Sequence, residues 1–203
     1  MTDSPLTVFL IDDDEGIRRS LQRALEKRGY AVESHASAAS FLAAYDPARQ
    51  GCLLLDYGMP GMNGLELQRH LNVLGATIPV IFITGHGGVP ESVQAIKAGA
   101  VDFLEKPFRQ AHLVERIETA FAVARERLDL HEQDRRLRAR FQSLTARELE
   151  IVQRMIARPS EISSKELAAA LGISPRTVDH HRARILEKMN VKSVAELIAL
   201  ATR

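Results

Sequence analysis

At 203 residues the chain is long enough for one large domain or two ordinary ones. Its composition, 45% hydrophobic and 26% charged, is typical of globular proteins, and no apolar run approaches the roughly 20 residues that span a bilayer. A single cysteine excludes an internal disulfide and a cysteine-rich zinc site. With no signal-peptide pattern at the N-terminus, we expect a cytoplasmic protein without a membrane partner.

The net charge of +1 conceals a difference between the two halves of the sequence. Residues 1–125 hold 12 basic and 15 acidic side chains, whereas residues 126–203 hold 15 basic and 11 acidic ones. The C-terminal part is therefore the better candidate for contact with an anionic partner.

Strand-like and helix-like segments alternate over the first 120 residues. The predicted strands are residues 6–11, 31–35, 52–55, 79–83 and 100–104. Five helices are predicted. The first ends at Gly29, the next three cover residues 37–45, 65–74 and 89–98, and the fifth begins near Arg109. This alternation predicts an α/β fold, a five-stranded doubly wound parallel sheet with helices on both faces.

Polar or charged side chains follow the strands where they end. They are Asp12 and Asp13, Asp56, Thr84, and Lys106. The carboxyl ends of parallel strands share one edge of a sheet, so we expect these side chains to form one pocket. Taken alone, Asp56 could simply open the Gly/Pro-rich turn that follows it.

The expected pocket has a recognisable chemistry. Three converging carboxylates would repel one another, and Mg²⁺, which prefers oxygen ligands, would relieve that repulsion. A carboxylate beside a metal ion can attack phosphorus and form an aspartyl phosphate. The Lys106 ammonium and the Thr84 hydroxyl are suited to neutralising the phosphoryl oxygens.

Four motifs carry a resemblance to a known family. They are Ile-Asp-Asp-Asp (11–14), Leu-Asp-Tyr-Gly-Met-Pro-Gly-Met-Asn-Gly (55–64), Ile-Thr-Gly-His (83–86) and Phe-Leu-Glu-Lys-Pro-Phe (103–108). With them, residues 6 to about 124 resemble the CheY-like, flavodoxin-like receiver domain of two-component response regulators. The resemblance implies that a cognate histidine kinase phosphorylates Asp56. It also implies a Mg²⁺ site formed by Asp12, Asp13, Asp56 and the backbone carbonyl of Gly58.

The same resemblance implies that Thr84 and Lys106 contact the phosphoryl group, that Thr84 and Phe103 form the switch, and that the Lys106–Pro107 bond is cis. Two positions depart from the pattern. Gly58 stands where the family usually has a side chain, and His86 lies two residues after Thr84. In the family these positions flank the attacking water, so the resemblance leads to the hypothesis of an unusual phosphoryl lifetime. An exposed loop histidine is the alternative interpretation of His86.

The segment from Arg109 to Thr145 contains neither proline nor glycine. Its second half is densely charged, which predicts a solvated connecting helix, with a dimer contact along it as the alternative. After it, the predicted helices begin at a capping box, Thr145-x-x-Glu148, and cover residues 165–171, 175–189 and 194–201.

The third helix of this group separates into two faces. Val178, Ile185, Leu186 and Met189 are expected in the core, and Arg176, Asp179, His180 and Ala183 fall on the opposite side. Together with the preceding turn, Gly172-Ile173-Ser174, this pattern predicts a helix-turn-helix whose second helix fits the major groove of double-stranded DNA. An exposed charged helix face is the alternative for any single residue.

Residues 143–203 resemble the LuxR/FixJ/NarL-type DNA-binding domain. The match rests on Leu144-Thr145-x-Arg147-Glu148, Lys165-Glu166-Leu167-Ala168, and residues 174–184. It implies that Asp179, His180 and Ala183 face bases. It implies backbone contacts from Arg176, Thr177, His181, Arg184 and Lys188. The loop 160–164 departs from the Gly/Asn-rich family pattern, which leaves a DNA contact by this loop unsupported.

The sequence therefore predicts three segments: a receiver domain (1–124), a helical linker (125–142) and a helix-turn-helix domain (143–203). We expect a transcriptional regulator that phosphorylation switches, a homodimer when phosphorylated, with RNA polymerase as a further partner and no enzymatic activity beyond its own phosphorylation and dephosphorylation. One alternative is a regulator whose receiver serves only for dimerisation. Another alternative is an aspartyl-nucleophile phosphatase. The absence of Asp-x-Asp spacing on the nucleophile strand argues against it.

Overall fold

The computed structural model describes residues 6–85, 89–160 and 162–202, with backbone only at 89–90. His86 lies outside these residues. The chain divides into two compact units, Met1–Asp129 and Leu130–Arg203. Within the described part of the chain, no helix combines the length and apolar character that crossing a membrane requires.

The N-terminal unit is built on a parallel sheet. Its strands are β1 (Thr7–Ile11), β2 (Ala31–His35), β3 (Gly51–Asp56), β4 (Val80–Thr84) and β5 (Asp102–Glu105). The helices between them are α1 (Glu15–Glu26), α2 (Ala38–Ala44), α3 (Gly64–Val73) and α4 (Val89–Lys97), and α5 (Gln110–Gln142) follows β5. The strand order β2-β1-β3-β4-β5 confirms the predicted doubly wound sheet.

Both faces of the sheet are buried, which is why its central strands are continuously apolar. Alternate residues point to opposite sides, so Leu53 and Leu55 join one core cluster while Cys52 and Leu54 join the other. The strand β5 begins two residues later than predicted, at Asp102, because Ala100 and Val101 belong to the loop after α4.

Helix α5 is continuous over 33 residues. Its first turns bury Leu113, Ile117 and Phe121 against the sheet. The Arg127 guanidinium then donates a hydrogen bond of 2.6 Å to the Thr77 carbonyl. Contact with the N-terminal unit thus continues past residue 124, where the sequence predicted the receiver to end.

The C-terminal unit contains four helices in its described part: α6 (Ala146–Ala157), α7 (Ser164–Leu171), α8 (Pro175–Met189) and α9 (Val194–Ala201). The side chains of Thr145, Ser163, Ser174 and Ser193 cap their N-termini. Gly172, in the left-handed conformation at φ 64°, ends α7 and allows the tight turn into α8.

The buried face of α6 is formed by Ile151, Val152 and Met155, together with Glu148 near the start of the helix. Leu149 and Ile156 are half-buried and pack against the same core.

Candidate functional site

Asp12, Asp56 and Lys106 meet at the carboxyl edge of the sheet. The Lys106 ammonium lies 2.7 Å from Asp12 Oδ2 and 2.8 Å from Asp56 Oδ1. Asp12 follows β1, Asp56 ends β3 and Lys106 follows β5, so the parallel arrangement brings together residues that are far apart in the sequence. The prediction of one shared pocket is met for these three side chains.

Backbone groups complete the contacts of the two carboxylates. The Asp14 N–H donates to Asp12 Oδ1 at 2.9 Å, and the Gly58 N–H donates to Asp56 Oδ2 at 2.8 Å. The Lys106 N–H donates to the Thr84 carbonyl at 2.7 Å, which fixes the lysine backbone to the end of β4. The carboxylates and the ammonium are therefore held on rigid elements, as a reacting centre requires.

The electrostatics of the pocket follow from its burial. Asp12 is 1% exposed and Asp56 is 7% exposed. Burial raises the pKa of Asp12, against the opposing effect of the hydrogen bond from Lys106. Burial alone would lower the pKa of Lys106, but its hydrogen bonds to Asp12 and Asp56 raise it overall. The lysine consequently stays charged and balances the carboxylates.

Asp13 does not join this cluster. Its side chain is exposed, and among the described residues no group of three or more His, Cys, Asp or Glu side chains is arranged to hold a metal ion. The predicted convergence of three carboxylates is thus reduced to a pair, Asp12 and Asp56, which share the single positive charge of Lys106. The pair still fits a small hard cation, since two carboxylates converge on one positively charged atom and oxygen ligands suit Mg²⁺.

Thr84 and Phe103 flank the pocket on neighbouring strands. Thr84 ends β4 and is 3% exposed, and Phe103 is half-buried in β5. The Phe103 ring lies 6.5 Å from the ring of Tyr57, which in turn lies 5.8 Å from that of Phe82. Tyr57 was not predicted as a site residue, although it directly follows Asp56 in the sequence.

On α8, the predicted contact residues are mostly accessible. Arg176, Thr177, Asp179, His180, Ala183 and Arg184 are exposed. On the other side of the helix, Val178, Ile185 and Met189 are buried and Leu186 is half-buried. The separation of the helix into a core face and an open face is therefore confirmed.

Two predicted contact residues are placed differently. His181 is half-buried, and its Nδ1 is buried without a hydrogen-bond partner among the described residues. The Lys188 ammonium lies 2.7 Å from Glu148 Oε2 and 3.0 Å from the Ser143 carbonyl. Lys188 thus joins α8 to α6, and a DNA phosphate would have to compete with Glu148 for its ammonium.

Comparison with known proteins completes the description of both units. Residues 8–118 match the family described as the response regulator receiver domain, and residues 142–201 match bacterial regulatory proteins of the luxR family. Over 203 residues the chain is 45% identical to the transcriptional regulatory protein FixJ of Rhizobium meliloti (strain 1021), covering 99% of this chain and 96% of that protein. The chain belongs to the FixJ-like response regulators.

Solved structures agree with this assignment. The response regulator StyR superimposes with a TM-score of 0.87 at 41% identity, covering 98% of this chain and 99% of StyR. Full-length FixJ from B. japonicum gives a TM-score of 0.58 at 38% identity, covering 97% of this chain and 95% of that one. The response regulator TmoT of Ectopseudomonas mendocina is a further relative, 38% identical over 203 residues, covering 100% of this chain and 91% of TmoT.

Membership fixes the general role of each unit in this response regulator. A receiver domain implies a histidine kinase as partner, and a LuxR-type domain implies binding to DNA. The proteins named FixJ and TmoT that it resembles are a transcriptional regulator and a response regulator. The chain is accordingly a transcriptional regulator of the two-component class.

The Glu148–Lys188 pair leads to a prediction about the stability of the DNA-binding unit. Burial alone would raise the pKa of Glu148, but hydrogen bonds from Lys188 and Thr145 lower it to about 2. A lowered pKa stabilises the fold above the ordinary value of 4.5, and this stabilisation is lost as the pH falls toward 2. We expect Glu148→Gln to cost about 2 kcal/mol at pH 7 and less than half of that at pH 3.

Denaturant unfolding at the two pH values measures this difference. Glu150→Gln is the matched control, because Glu150 pairs with Arg147 on an accessible surface and should change stability by less than about 0.5 kcal/mol. An equal loss at pH 3 and pH 7 for Glu148→Gln would contradict the ion-pair explanation.

Proposed function

We propose that this response regulator accepts a phosphoryl group from a cognate histidine kinase on Asp56, with Mg²⁺, and that phosphorylation favours a homodimer that binds double-stranded DNA and controls transcription. The observation that carries the proposal is the Lys106 ammonium between Asp12 Oδ2 and Asp56 Oδ1. A fixed cation beside a buried carboxylate can stabilise the negatively charged oxygens that a phosphoryl group would bring to that carboxylate.

In the proposed reaction, an Asp56 carboxylate oxygen attacks the phosphorus of the kinase phosphohistidine, and the imidazole nitrogen of the kinase leaves. Lys106 is placed to neutralise the phosphoryl oxygens, since its ammonium is already adjacent to Asp56 Oδ1. Gly58 donates its N–H to Asp56 Oδ2 and keeps that oxygen oriented. The chain would also hydrolyse its own phosphate, and we propose no other enzymatic activity.

Asp12, Asp56, Asp13 and the Gly58 carbonyl would hold Mg²⁺. The bound ion supplies charge neutralisation at the phosphoryl oxygens and relief of the repulsion between the carboxylates. The convergence of Asp12 and Asp56 on one cation, the Lys106 ammonium, supports this role, and Asp13 would have to turn inward from its exposed position.

The switch would couple Thr84 to Phe103. Thr84 ends the strand next to Asp56, so its hydroxyl could move toward a phosphoryl group there. The Phe103 ring packs beside Tyr57, which follows the phosphoacceptor. A shift of Thr84 would leave space that Phe103 can enter, and the face formed by α4 and β5 would change with it.

The DNA contacts proposed for α8 rest on its open face. Asp179, His180 and Ala183 would meet bases, and Arg176, Thr177 and Arg184 would meet the backbone, in half-sites about one helical turn apart. We retain the segments 1–124, 125–142 and 143–203 as receiver, linker and DNA-binding domain. We further propose that the protein acts in the cytoplasm, where the DNA lies. Because it would control transcription, RNA polymerase is a further proposed partner.

Size-exclusion chromatography with light scattering tests the proposal most directly. The full chain is measured with and without Mg²⁺ and beryllofluoride, a phosphoryl mimic, alongside Asp56→Asn. We expect the mass of the wild type alone to double. If neither protein changes its mass, the proposed dimer switch is wrong, and Mg²⁺ binding measured by titration then shows whether the pocket itself is functional.

Gly58 leads to a prediction about phosphoryl lifetime. A Cβ atom at this position would lie 3.8 Å from Asp56 Oδ2, so a longer side chain would start beside the phosphoryl group without a clash. We expect Gly58→Arg to shield the phosphate from water and slow dephosphorylation about three- to tenfold, or roughly 1 kcal/mol in the barrier. A time course of phosphate loss measures it, with Gly58→Ala as the small-side-chain control. Identical rates for all three proteins would refute the hypothesis.

A further inference from the structure

A polar network joins α7 to the open face of α8. The Ser164 hydroxyl, at the first residue of α7, donates a hydrogen bond to Asp179 Oδ1. The Arg182 guanidinium donates to Ser164 Oγ at 3.2 Å and to the Ile162 carbonyl at 3.3 Å. Ser164 thus uses its single donor on Asp179 and accepts from Arg182, which satisfies both of its hydrogen-bonding capacities.

The network decides which partner Asp179 takes. Arg176 and Arg182 stand three residues before and after Asp179 on the helix, a spacing at which ion pairs form. The structure instead records the contact of Asp179 with Ser164 and directs Arg182 toward α7. Asp179 Oδ2 has no hydrogen-bond partner among the described residues, and Asp179 itself is exposed.

We propose that Ser164 is a positioning residue that sets the base preference of this regulator by holding Asp179 in a reading orientation. This rests on the proposed function of α8 in DNA binding. A carboxylate in the major groove accepts from the N4 amino group of cytosine and rejects bases that present only acceptors. With Oδ1 fixed by Ser164, Oδ2 is the oxygen that faces the base. Without the hydroxyl, Asp179 turns to Arg176 and its preference for one base is lost.

The test compares base discrimination, which a purely structural role of Ser164 would not change. Wild-type full-length chain, with Mg²⁺ and beryllofluoride, first selects duplexes from a randomised pool. Equilibrium binding at one salt concentration is then measured for the selected duplex and for each single base-pair replacement. At one position of each half-site, we expect Ser164→Ala to reduce about tenfold the ratio between the affinities for the selected and the replaced base pair. Asp179→Ala should reduce this ratio at the same position. The double variant should lose no more than Asp179→Ala, because both residues act through one contact.

Neighbouring variants separate this role from simple stability. Ser164→Thr keeps the hydroxyl and should keep the discrimination. Ser163 is the N-cap of α7, and its side chain accepts a hydrogen bond from the Glu166 N–H. Ser163→Ala should therefore lower the melting temperature without changing the base preference.

Three results would overturn the inference. The first is that Ser164→Ala discriminates between bases as well as the wild type does, while Asp179→Ala loses this discrimination. The second is that Asp179→Ala itself discriminates as well as the wild type. The third is that Ser163→Ala loses as much discrimination as Ser164→Ala. Failure of the wild type to select any sequence is a different result, which would overturn the proposed DNA-binding function and this inference together.

Discussion

Replacing Lys106 by methionine is expected to lower the free energy of unfolding by about 3 kcal/mol in the absence of Mg²⁺. The ammonium is the shared partner of Asp12 and Asp56, whose side chains are 2% and 10% exposed. Without it, two buried carboxylates face each other with no positive charge between them. Adding Mg²⁺ should recover most of the loss, because the cation then has no competitor at the two carboxylates.

Denaturant titration with and without Mg²⁺ measures this effect. The raised pKa of Lys106 gives the pH dependence: the stabilisation is complete below the ordinary value of 10.5 and is lost as the pH rises through the raised value. On the alkaline side, the difference between wild type and variant should therefore stay constant up to about pH 10.5 and shrink above it. Lys97→Met, at an exposed position of α4, is the matched control and should change stability by less than about 0.5 kcal/mol. A variant that Mg²⁺ does not restore would contradict the predicted role of the lysine.

Among the glycines that follow β3, Gly58, Gly61 and Gly64, replacement of Gly64 by alanine should be the most damaging single-methyl substitution. A Cβ atom at Gly64 would lie 2.4 Å from the Asp56 carbonyl oxygen and 2.8 Å from Phe82 Cε1. Because the first of these is a backbone atom of β3, α3 has to move away from the strand that carries Asp56. We expect a loss of about 3 kcal/mol in unfolding free energy and a strongly reduced level of phosphorylation.

Gly58→Ala, six residues earlier in the same loop, is the control. Its added methyl group would meet only Asp56 Oδ2, at an ordinary contact distance of 3.8 Å, so stability should stay within about 0.5 kcal/mol of the wild type. Thermal unfolding and phosphate incorporation from a small-molecule donor measure both variants. Equal stability of the two alanine variants would show that α3 can shift without cost.

Periodicity and strand-end chemistry were sufficient to predict the sheet and the meeting of Asp12, Asp56 and Lys106. They work because a strand buried on both faces leaves an unmistakable apolar run, and because parallel strands place their carboxyl ends at one edge. The helix cap at Thr145 was predictable for a similar reason, since a capping box is decided within four residues.

Partner choice across the fold was not predictable in the same way. Lys188 has the position of a phosphate contact, but Glu148, 40 residues earlier in the chain, takes its ammonium. The contact of Ser164 with Asp179 depends on how α7 meets α8, which the sequence of neither helix reveals. The structural reason for each glycine after β3 was equally unpredictable. Gly61 adopts a positive φ of 78°, whereas Gly64 is required because a side chain there would collide with the Asp56 backbone.

The order of the strands also constrains how the chain reaches its functional state. Lys106 meets Asp12 across 94 residues of sequence and Asp56 across 50. Contacts of this separation make folding slow, because long loops must close before parallel strands can pair. A chain in which β1, β3 and β5 have not yet taken their places lacks the pocket altogether. Acceptance of a phosphoryl group would therefore report that the whole sheet has assembled, so that a signalling kinase would leave newly made, incompletely folded copies of the regulator unmarked.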